Sequence, residues 1–267
     1  MPIAPHGGTL INRRLPASEA EAMLHENESA RRLPLNHRAK SDLYLIAIGA
    51  LSPLEGFMDR AAYESVVETM HLPSGDVFSV PVTLPVSQAF FQAAKPGEKI
   101  VLTDENDAPQ AILNVSEAFE RDLKREAREV YRTEDEAHPG VAAIYEAGPY
   151  LLGGTIDYVN PSPELEFPEY NLTPEETRAK FRELGWDTVV AFQTRNPIHR
   201  AHEYIIKCGM EVVDGLLLHP LVGPTKKDDI PADVRMNCYQ TILKHYFPQD
   251  RYVLSVLPAA MRYAGPR

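Results

Sequence analysis

The stretch TVVAFQTRNPIHRAHEYIIKCG, residues 188–209, decides the fold of the half of the chain that contains it. Its apolar start at 188–192 predicts a buried strand. The polar residues that follow lead into a predicted helix through Met210, with Asn196 as N-cap and Pro197 at the first helical position. A buried strand that runs directly into a helix begins a βαβ unit, which predicts an α/β fold for this half.

Helix and strand signals alternate on both sides of that stretch. Thr173, Pro174 and Glu176 predict a capping box at the start of a helix that ends at Gly185. Two further apolar runs predict buried strands, namely GLLLH (215–219) and YVLSVL (252–257). Buried strands that alternate with helices indicate a parallel sheet with right-handed crossovers, so this half is predicted to be Rossmann-like.

A third helix is predicted over residues 231–247, with Val234, Cys238 and Ile242 on one face. The chain contains two cysteines, and the other is Cys208, which also falls in a predicted helix. We interpret both as buried free thiols in a reducing compartment and not as a disulfide.

The residues that precede this half show shorter and more mixed signals. KIVLTDENDAPQAILNV, residues 99–115, has a DEND centre between β-rich flanks and predicts a hairpin. The segment 159–172 contains three prolines and little periodicity, so the domain boundary is placed there. The predicted domains are 1–165, strand-rich and α+β, and 166–267, α/β.

Composition excludes several classes of protein. The 267 residues include 44% hydrophobic residues and carry a formal net charge of −11, which opposes a general nucleic-acid surface. The N-terminus lacks the apolar core of a signal peptide, and no later run approaches the ~18 apolar residues of a membrane span. We therefore expect a cytoplasmic protein that binds neither nucleic acid nor membrane.

Three loops are predicted to meet at the carboxyl ends of the parallel strands, where open α/β sheets bind ligands. They are QTRNP (193–197), HPLVGPTKKDD (219–229) and PAAMRYAGPR (258–267). All three are rich in Pro, Gly and basic or amide side chains, and the first is followed by the positive end of a helix. This predicts a cradle for an anion such as a nucleotide phosphate.

The first loop supplies the main candidate residues. Arg195 offers a planar fork for an oxyanion, while Gln193 and Thr194 add neutral donors. His199 and His202 lie three residues apart on one face of the first helical turn, where they can reach a phosphate.

Two other interpretations of the histidine pair stay open, namely metal ligation and solvated surface histidines. The pair lacks the i, i+4 spacing and the Glu position of H-E-x-x-H zinc sites, and no cysteine cluster completes a metal site. In the second loop GPTKK lacks the order of a Walker motif, so Lys226 and Lys227 are either solvated or flank the site.

The motif QTRNPIHRAHE, residues 193–203, resembles the pattern Gln-Thr-Arg-Asn-Pro-x-His-Arg-x-His of the ATP sulfurylase (sulfate adenylyltransferase) family, bacterial type. Further stretches resemble this family in the same order: LSPLEGFM (51–58), VPVTLPV (80–86), HPLVGPTKKDDIP (219–231) and MRYAGPR (261–267). The resemblance implies a PUA-like N-terminal domain followed by a Rossmann-like catalytic domain with an HxxH nucleotidyltransferase signature.

The resemblance also implies the reaction of ATP with sulfate to give adenosine 5′-phosphosulfate and pyrophosphate. Mg²⁺ would enter as MgATP, with no protein-bound metal within residues 1–267, and the assembly would be a homo-oligomer, most simply a dimer. Carried over by position, Gln193 and Arg195 would contact sulfate, and Thr194 and Asn196 the ATP phosphates. His199 and His202 would stabilise charge between the α- and β-phosphates. The loop residues Lys226, Lys227, Met261 and Arg262 are possible flanking contacts.

The family pattern continues past Gly-Pro-Arg-Glu-Ala to a Gly-Arg-Asp-His-Ala-Gly motif, whereas this sequence stops at Arg267. We expect residues 1–267 alone to be poorly soluble, because half of a doubly wound sheet leaves an apolar edge and face uncovered, and inactive, because the resemblance implies that the second motif supplies further phosphate and sulfate donors. Two other functions remain as alternatives: an HxxH nucleotidyltransferase for another acceptor, such as a phosphopantetheine or nicotinamide nucleotide precursor, and an RNA-binding module built on the PUA-like domain.

Overall fold

The computed structural model describes residues 4–161, 163–223 and 229–262. Contacts between Cα atoms divide the chain into two compact units, one built on His6–Pro163 with Arg262 and the other on Glu164–Met261. Each unit has its own sheet and its own core, and each is described by itself.

A six-stranded sheet organises the N-terminal unit. Its elements are α1 (Ala17–Glu26), β1 (Arg32–Pro34), α2 (His37–Ala47), β2 (Gly56–Phe57), α3 (Arg60–Thr69), β3 (Leu84–Pro85), α4 (Gln88–Ala93), β4 (Lys99–Thr103), β5 (Pro109–Glu120), α5 (Leu123–Glu126), a π-helix (Ala127–Tyr131), α6 (Pro139–Ala147) and β6 (Tyr150–Tyr158).

The long strands β5 and β6 form the centre of this sheet, and the strand order is β1-β4-β5-β6-β2, with β3 paired to β6. β1 and β4 are parallel, and the other pairs are antiparallel. The predicted hairpin over 99–115 is confirmed as β4 and β5, because Lys99 lies opposite Asn114 in an antiparallel register. The carboxylate of Asp104 shapes its turn by accepting from the backbone N–H groups of Asn106 and Ala108, both at 2.9 Å. The expected strand-rich α+β character is therefore observed.

The C-terminal unit is α/β, as predicted. Its elements are a 3₁₀ turn (Pro168–Tyr170), α7 (Pro174–Glu183), β7 (Val189–Thr194), α8 (Arg200–Met210), β8 (Gly215–Val222), α9 (Ala232–Tyr246), β9 (Tyr252–Leu254) and β10 (Leu257–Pro258). β8 pairs in parallel with β7 on one side and with β9 and β10 on the other.

The strand predicted over 252–257 is interrupted in its middle. The N–H of Ser255 still donates to Leu218 of β8 at 3.0 Å, but the N–H of Val256 turns away and donates to the carbonyl of Tyr170 at 2.8 Å. One predicted strand therefore becomes β9 and β10, and the segment before α7 is fastened to the sheet at the break.

The capping box at the start of α7 is confirmed. The Thr173 hydroxyl accepts from the N–H of Glu176 at 3.3 Å, and the Glu176 carboxylate accepts from the N–H of Thr173 at 2.7 Å. The helix ends just before Gly185, whose φ of 72° favours glycine at that position.

Thr173→Ala is expected to lower the free energy of unfolding of this unit by about 1 kcal/mol, because it removes the hydroxyl that accepts from the N–H of Glu176, the side-chain half of the capping box. Urea denaturation followed by circular dichroism measures the change. Thr177→Ala, the same substitution one turn later, is the control and should change stability by less than ~0.5 kcal/mol. Equal effects of the two variants would contradict a specific capping role.

Two predictions about helix burial are wrong. The side of α9 that packs against the sheet consists of Arg235, Met236, Tyr239 and Leu243, whereas Val234 is 45% exposed. Cys208 and Cys238 are free but exposed, so they are not buried thiols. In α9 the wrong prediction of the buried face has one physical source, namely Arg235. It is only 2% exposed because backbone carbonyls accept from its guanidinium, whereas hydrophobic periodicity treats an arginine as a surface residue.

Candidate active site

Two side chains, Thr194 and Tyr239, fix the turn that follows β7. The hydroxyl of Thr194, which is 8% exposed, accepts from the Asn196 N–H at 3.0 Å and donates to the Asn196 carbonyl at 3.1 Å. The hydroxyl of Tyr239 on α9 donates to the same carbonyl at 2.8 Å. The chain is thus held in a bend over Arg195 and Asn196 at the carboxyl end of the strand.

The helix after this turn starts later than the sequence predicts. Asn196 is not the N-cap and Pro197 is not helical; α8 begins at Arg200 and its N-cap is His199. The reason is that the Asn196 carbonyl already accepts from Thr194 and Tyr239 and is not available for a first helical hydrogen bond. The positive end of α8 therefore lies at residues 200–202.

His199 and His202 form a stacked pair at this helix end. Their ring centroids are 3.8 Å apart with an angle of 27° between the planes, and His202 also packs against Phe192 at 5.6 Å. Nδ1 of His199 accepts from the Ala201 N–H at 3.2 Å, so the ring hydrogen lies on Nε2, where it can be donated to a ligand. Nδ1 of His202 is buried without a hydrogen-bond partner among the described residues.

Arg195 is paired with a carboxylate that we did not anticipate. Its Nη1 donates to Oδ1 of Asp229, and the side chains of the two residues are 27% and 10% exposed. The sequence predicts a cradle of donors and cations, with Lys226 and Lys227 as the candidates in the second loop. The one signal that could have identified Asp229 is its place at the end of that loop, directly before the start of α9.

Arg235 ties together the two described ends of the second loop. Its Nη1 donates to the carbonyl of Leu221 at 2.7 Å, and its Nε donates to the carbonyl of Ile230 at 2.9 Å. A Cβ added at Gly223 would lie 3.2 Å from the carbonyl oxygen of Ala259, so the second and third loops adjoin. The strand ends therefore converge as expected of an open parallel sheet.

The remaining candidates are placed as follows. Gln193 is exposed at the end of β7, opposite His219 of β8. Met261 belongs to the C-terminal unit, whereas Arg262 is grouped with the N-terminal unit, where its guanidinium donates to Asp42. Lys226 and Lys227 lie outside the described residues.

Across residues 4–161, 163–223 and 229–262 there is no group of three or more His, Cys, Asp or Glu side chains that could hold a metal ion. Within the same ranges, no helix is long and apolar enough to cross a bilayer.

Tyr239→Phe is expected to lower kcat/KM by about 5- to 30-fold, because it removes a hydrogen bond of ~1–2 kcal/mol that holds the Asn196 carbonyl and hence the turn. Steady-state kinetics would measure the loss. Tyr246→Phe, on the exposed end of the same helix, is the matched control and should leave kcat/KM unchanged. A Tyr239→Phe enzyme as active as the control would show that the turn does not depend on this contact.

His219 predicts a dependence of stability on pH. Burial lowers the pKa of its imidazole below the ordinary value of 6.5, in opposition to a hydrogen bond with the backbone of Val256. Because the unfolded chain then binds the proton more readily, the unfolding free energy falls as the pH drops through 6.5. We expect urea denaturation at pH 7.5 and 5.5 to show a smaller loss for His219→Gln than for the unmodified protein. The exposed control, His245→Gln, should retain the full loss, and identical losses in all three would contradict the assignment.

A parallel sheet with a basic turn, a helix N-terminus and a histidine pair at its carboxyl edge defines the class: an α/β protein with the arrangement typical of nucleotide-binding folds, in which phosphate groups bind at that edge. The comparisons with known proteins agree. Residues 3–161 match the model of the PUA-like domain, and residues 168–267 match the model of ATP-sulfurylase.

Similar curated proteins identify the family. The chain is 52% identical over 265 residues to a protein of Synechococcus sp. (strain JA-3-3Ab) and 53% identical over 268 residues to one of Symbiobacterium thermophilum, both named sulfate adenylyltransferase. In each case the match covers 99% of this chain and 67% of the relative. The chain belongs to the ATP sulfurylase (sulfate adenylyltransferase) family.

A solved structure shows the same fold. The chain matches a structure described as the hexameric APS kinase from Thiobacillus denitrificans, with a TM-score of 0.76 and 29% identity. The match covers 98% of this chain and 48% of that one, so the chain spans about half the length of this structural relative.

Proposed function

We propose that this chain belongs to an enzyme that transfers the adenylyl group of ATP to sulfate, giving adenosine 5′-phosphosulfate and pyrophosphate. The observation that carries the proposal is the cradle at the end of β7. Eight consecutive residues, 195–202, supply its groups: the Arg195 guanidinium, the N-terminus of α8 and the stacked pair of His199 and His202. These groups are donors and cations, which suit a reaction between two anions.

Sulfate carries no proton to remove at neutral pH, so a general base would contribute little. The protein instead has to place a sulfate oxygen in line with the α-phosphorus. In our proposal Gln193 and Arg195 hold the sulfate, and the new bond forms between its oxygen and the α-phosphorus. The bond from that phosphorus to the α,β-bridging oxygen breaks, and its electron pair leaves with pyrophosphate.

The leaving group would be stabilised at the start of α8. Nε2–H of His199, the ring of His202 and the first backbone N–H groups of the helix would offset the charge that develops on the bridging oxygen. Asn196 would contact the ATP phosphates. Thr194 is proposed there too, although its hydroxyl also holds the turn, so its contact with phosphate remains a prediction.

Mg²⁺ is proposed to arrive as MgATP, bound to the phosphate oxygens of the substrate. Among the described residues of the three loops, the carboxylate of Asp229 already pairs with Arg195, which makes a dedicated magnesium site of several carboxylates a poor fit. When bound, the metal would neutralise part of the phosphate charge.

Three broader statements are also proposals. The domains are 1–165 and 166–267, the protein is cytoplasmic, and it forms a homo-oligomer, for which a dimer is the simplest form. The name of the structural relative describes a hexamer. Light scattering of the purified protein would measure the oligomeric state, and a monomer at micromolar concentration would contradict it.

Exchange of labelled pyrophosphate into ATP tests the function. We expect exchange that depends on sulfate and that phosphopantetheine or nicotinamide mononucleotide does not support. Exchange supported by one of those acceptors and not by sulfate would favour another nucleotidyltransferase. Salt-sensitive binding of RNA without any exchange would favour the RNA-binding alternative.

A further inference from the structure

We propose that Asp229 is a positioning residue for sulfate: it holds the guanidinium of Arg195 so that the rest of the fork faces the anion. This inference rests on the proposed function. It adds a residue that touches neither substrate and sets how tightly the sulfate is held.

The first observation is the geometry of the pair. The contact engages Nη1 of Arg195, and the guanidinium makes no other hydrogen bond to the described part of the chain. Nη2–H and Nε–H thus remain for a bidentate contact with two oxygens of a tetrahedral anion. An arginine held at one nitrogen can rotate less than a free one, so less side-chain entropy is lost when sulfate binds.

The second observation is that Asp229 itself is held. The residue after it, Ile230, accepts a hydrogen bond of 2.9 Å from Nε of Arg235, which is 2% exposed and also bonds Leu221 at the end of β8. One buried side chain on α9 therefore fixes both the sheet end and the backbone next to Asp229. Because Asp229 in turn holds the guanidinium of Arg195, the orientation of that guanidinium depends on a buried side chain of the unit's core.

A contrary role for Asp229 makes the opposite prediction. If its carboxylate occupied the place of the anion, it would compete with sulfate, and its removal would tighten sulfate binding. The burial of the pair opposes competition. The Asp229 side chain is 10% exposed, and displacing Arg195 would remove a cationic partner from a carboxylate in a poorly solvated position.

The experiment is steady-state kinetics of Asp229→Asn in the full chain, with sulfate and ATP varied separately. We expect KM for sulfate to rise by about 10- to 100-fold, as for the loss of a hydrogen bond between charged groups. KM for ATP should change by less than about 3-fold, and most of kcat should return at saturating sulfate. Asp229→Glu should recover part of the sulfate affinity. Glu183→Gln, which breaks the exposed pair with Lys180, is the control and should change nothing.

A double variant with Arg195→Lys separates positioning from general damage. If Asp229 acts through Arg195, its removal should add little once Arg195 has been replaced. Lower KM for sulfate in Asp229→Asn, an unchanged KM, or additive effects in the double variant would each overturn the role of Asp229 and leave the proposed function intact. If the unmodified protein released pyrophosphate from ATP at a rate that did not depend on sulfate, both the role of Asp229 and the proposed function would be overturned.

Discussion

Arg195→Lys is expected to lower kcat/KM for sulfate by about 100-fold or more while the protein stays folded. The guanidinium donates to Asp229, and in the proposed site it presents a planar fork to the anion at the same time. Lysine supplies a single point charge on a flexible stem and cannot make both contacts in fixed geometry. Loss of one preorganised donor in a reaction of this kind typically lowers the rate by ~10²–10³.

The measurement is pyrophosphate release from ATP at varied sulfate, together with circular dichroism to confirm the fold. Arg182→Lys on the exposed side of α7 is the matched control and should behave like the unmodified protein. Near-normal turnover of a folded Arg195→Lys protein would refute the fork as the sulfate contact.

Replacement of either histidine of the stacked pair is expected to lower kcat by about 10²–10³, with a smaller change in KM for ATP. The groups are proposed to act on charge that appears only as pyrophosphate leaves, so their loss raises the barrier more than it weakens ground-state binding. The two rings are 3.8 Å apart and are proposed to act on one oxygen, so the double variant should lose less than the product of the two single losses.

His199 needs a variant that separates its two roles, because it also caps α8. His199→Asn keeps a capping side chain and removes the imidazole, whereas His199→Ala removes both. We expect similar kcat for the two variants and about 1 kcal/mol lower stability for the alanine variant alone. The proposed role of the pair in stabilising the leaving group would be contradicted if the variants showed a raised KM for ATP with unchanged kcat. Zinc bound stoichiometrically by His199 and His202 would also contradict it.

Local signals in the sequence predicted the elements well. The capping box at Thr173, the hairpin at 99–115 and the parallel order of the strands in the C-terminal unit follow from turn chemistry and hydrophobic periodicity, and the structure confirms them. Each depends on residues close to one another in sequence or on the general handedness of crossovers.

The errors arose where a contact joins distant residues. The start of α8 differs from the prediction because Tyr239 donates to the carbonyl of Asn196, and α8 and β8 lie between Arg195 and Asp229 in the sequence. The buried face of α9 was missed because Arg235 is satisfied by carbonyls of two other segments. Periodicity and propensity contain no information on such contacts.

In the proposed reaction a sulfate oxygen attacks the α-phosphorus in the cradle after β7. Sulfate labelled with ¹⁸O in all positions, incubated with MgATP and the protein, tests it most directly through ³¹P spectra of the products. We expect one ¹⁸O on the phosphorus of adenosine 5′-phosphosulfate and none in pyrophosphate, with both products strongly reduced in Arg195→Lys. Label in pyrophosphate, or a phosphosulfate formed together with ADP, would contradict it.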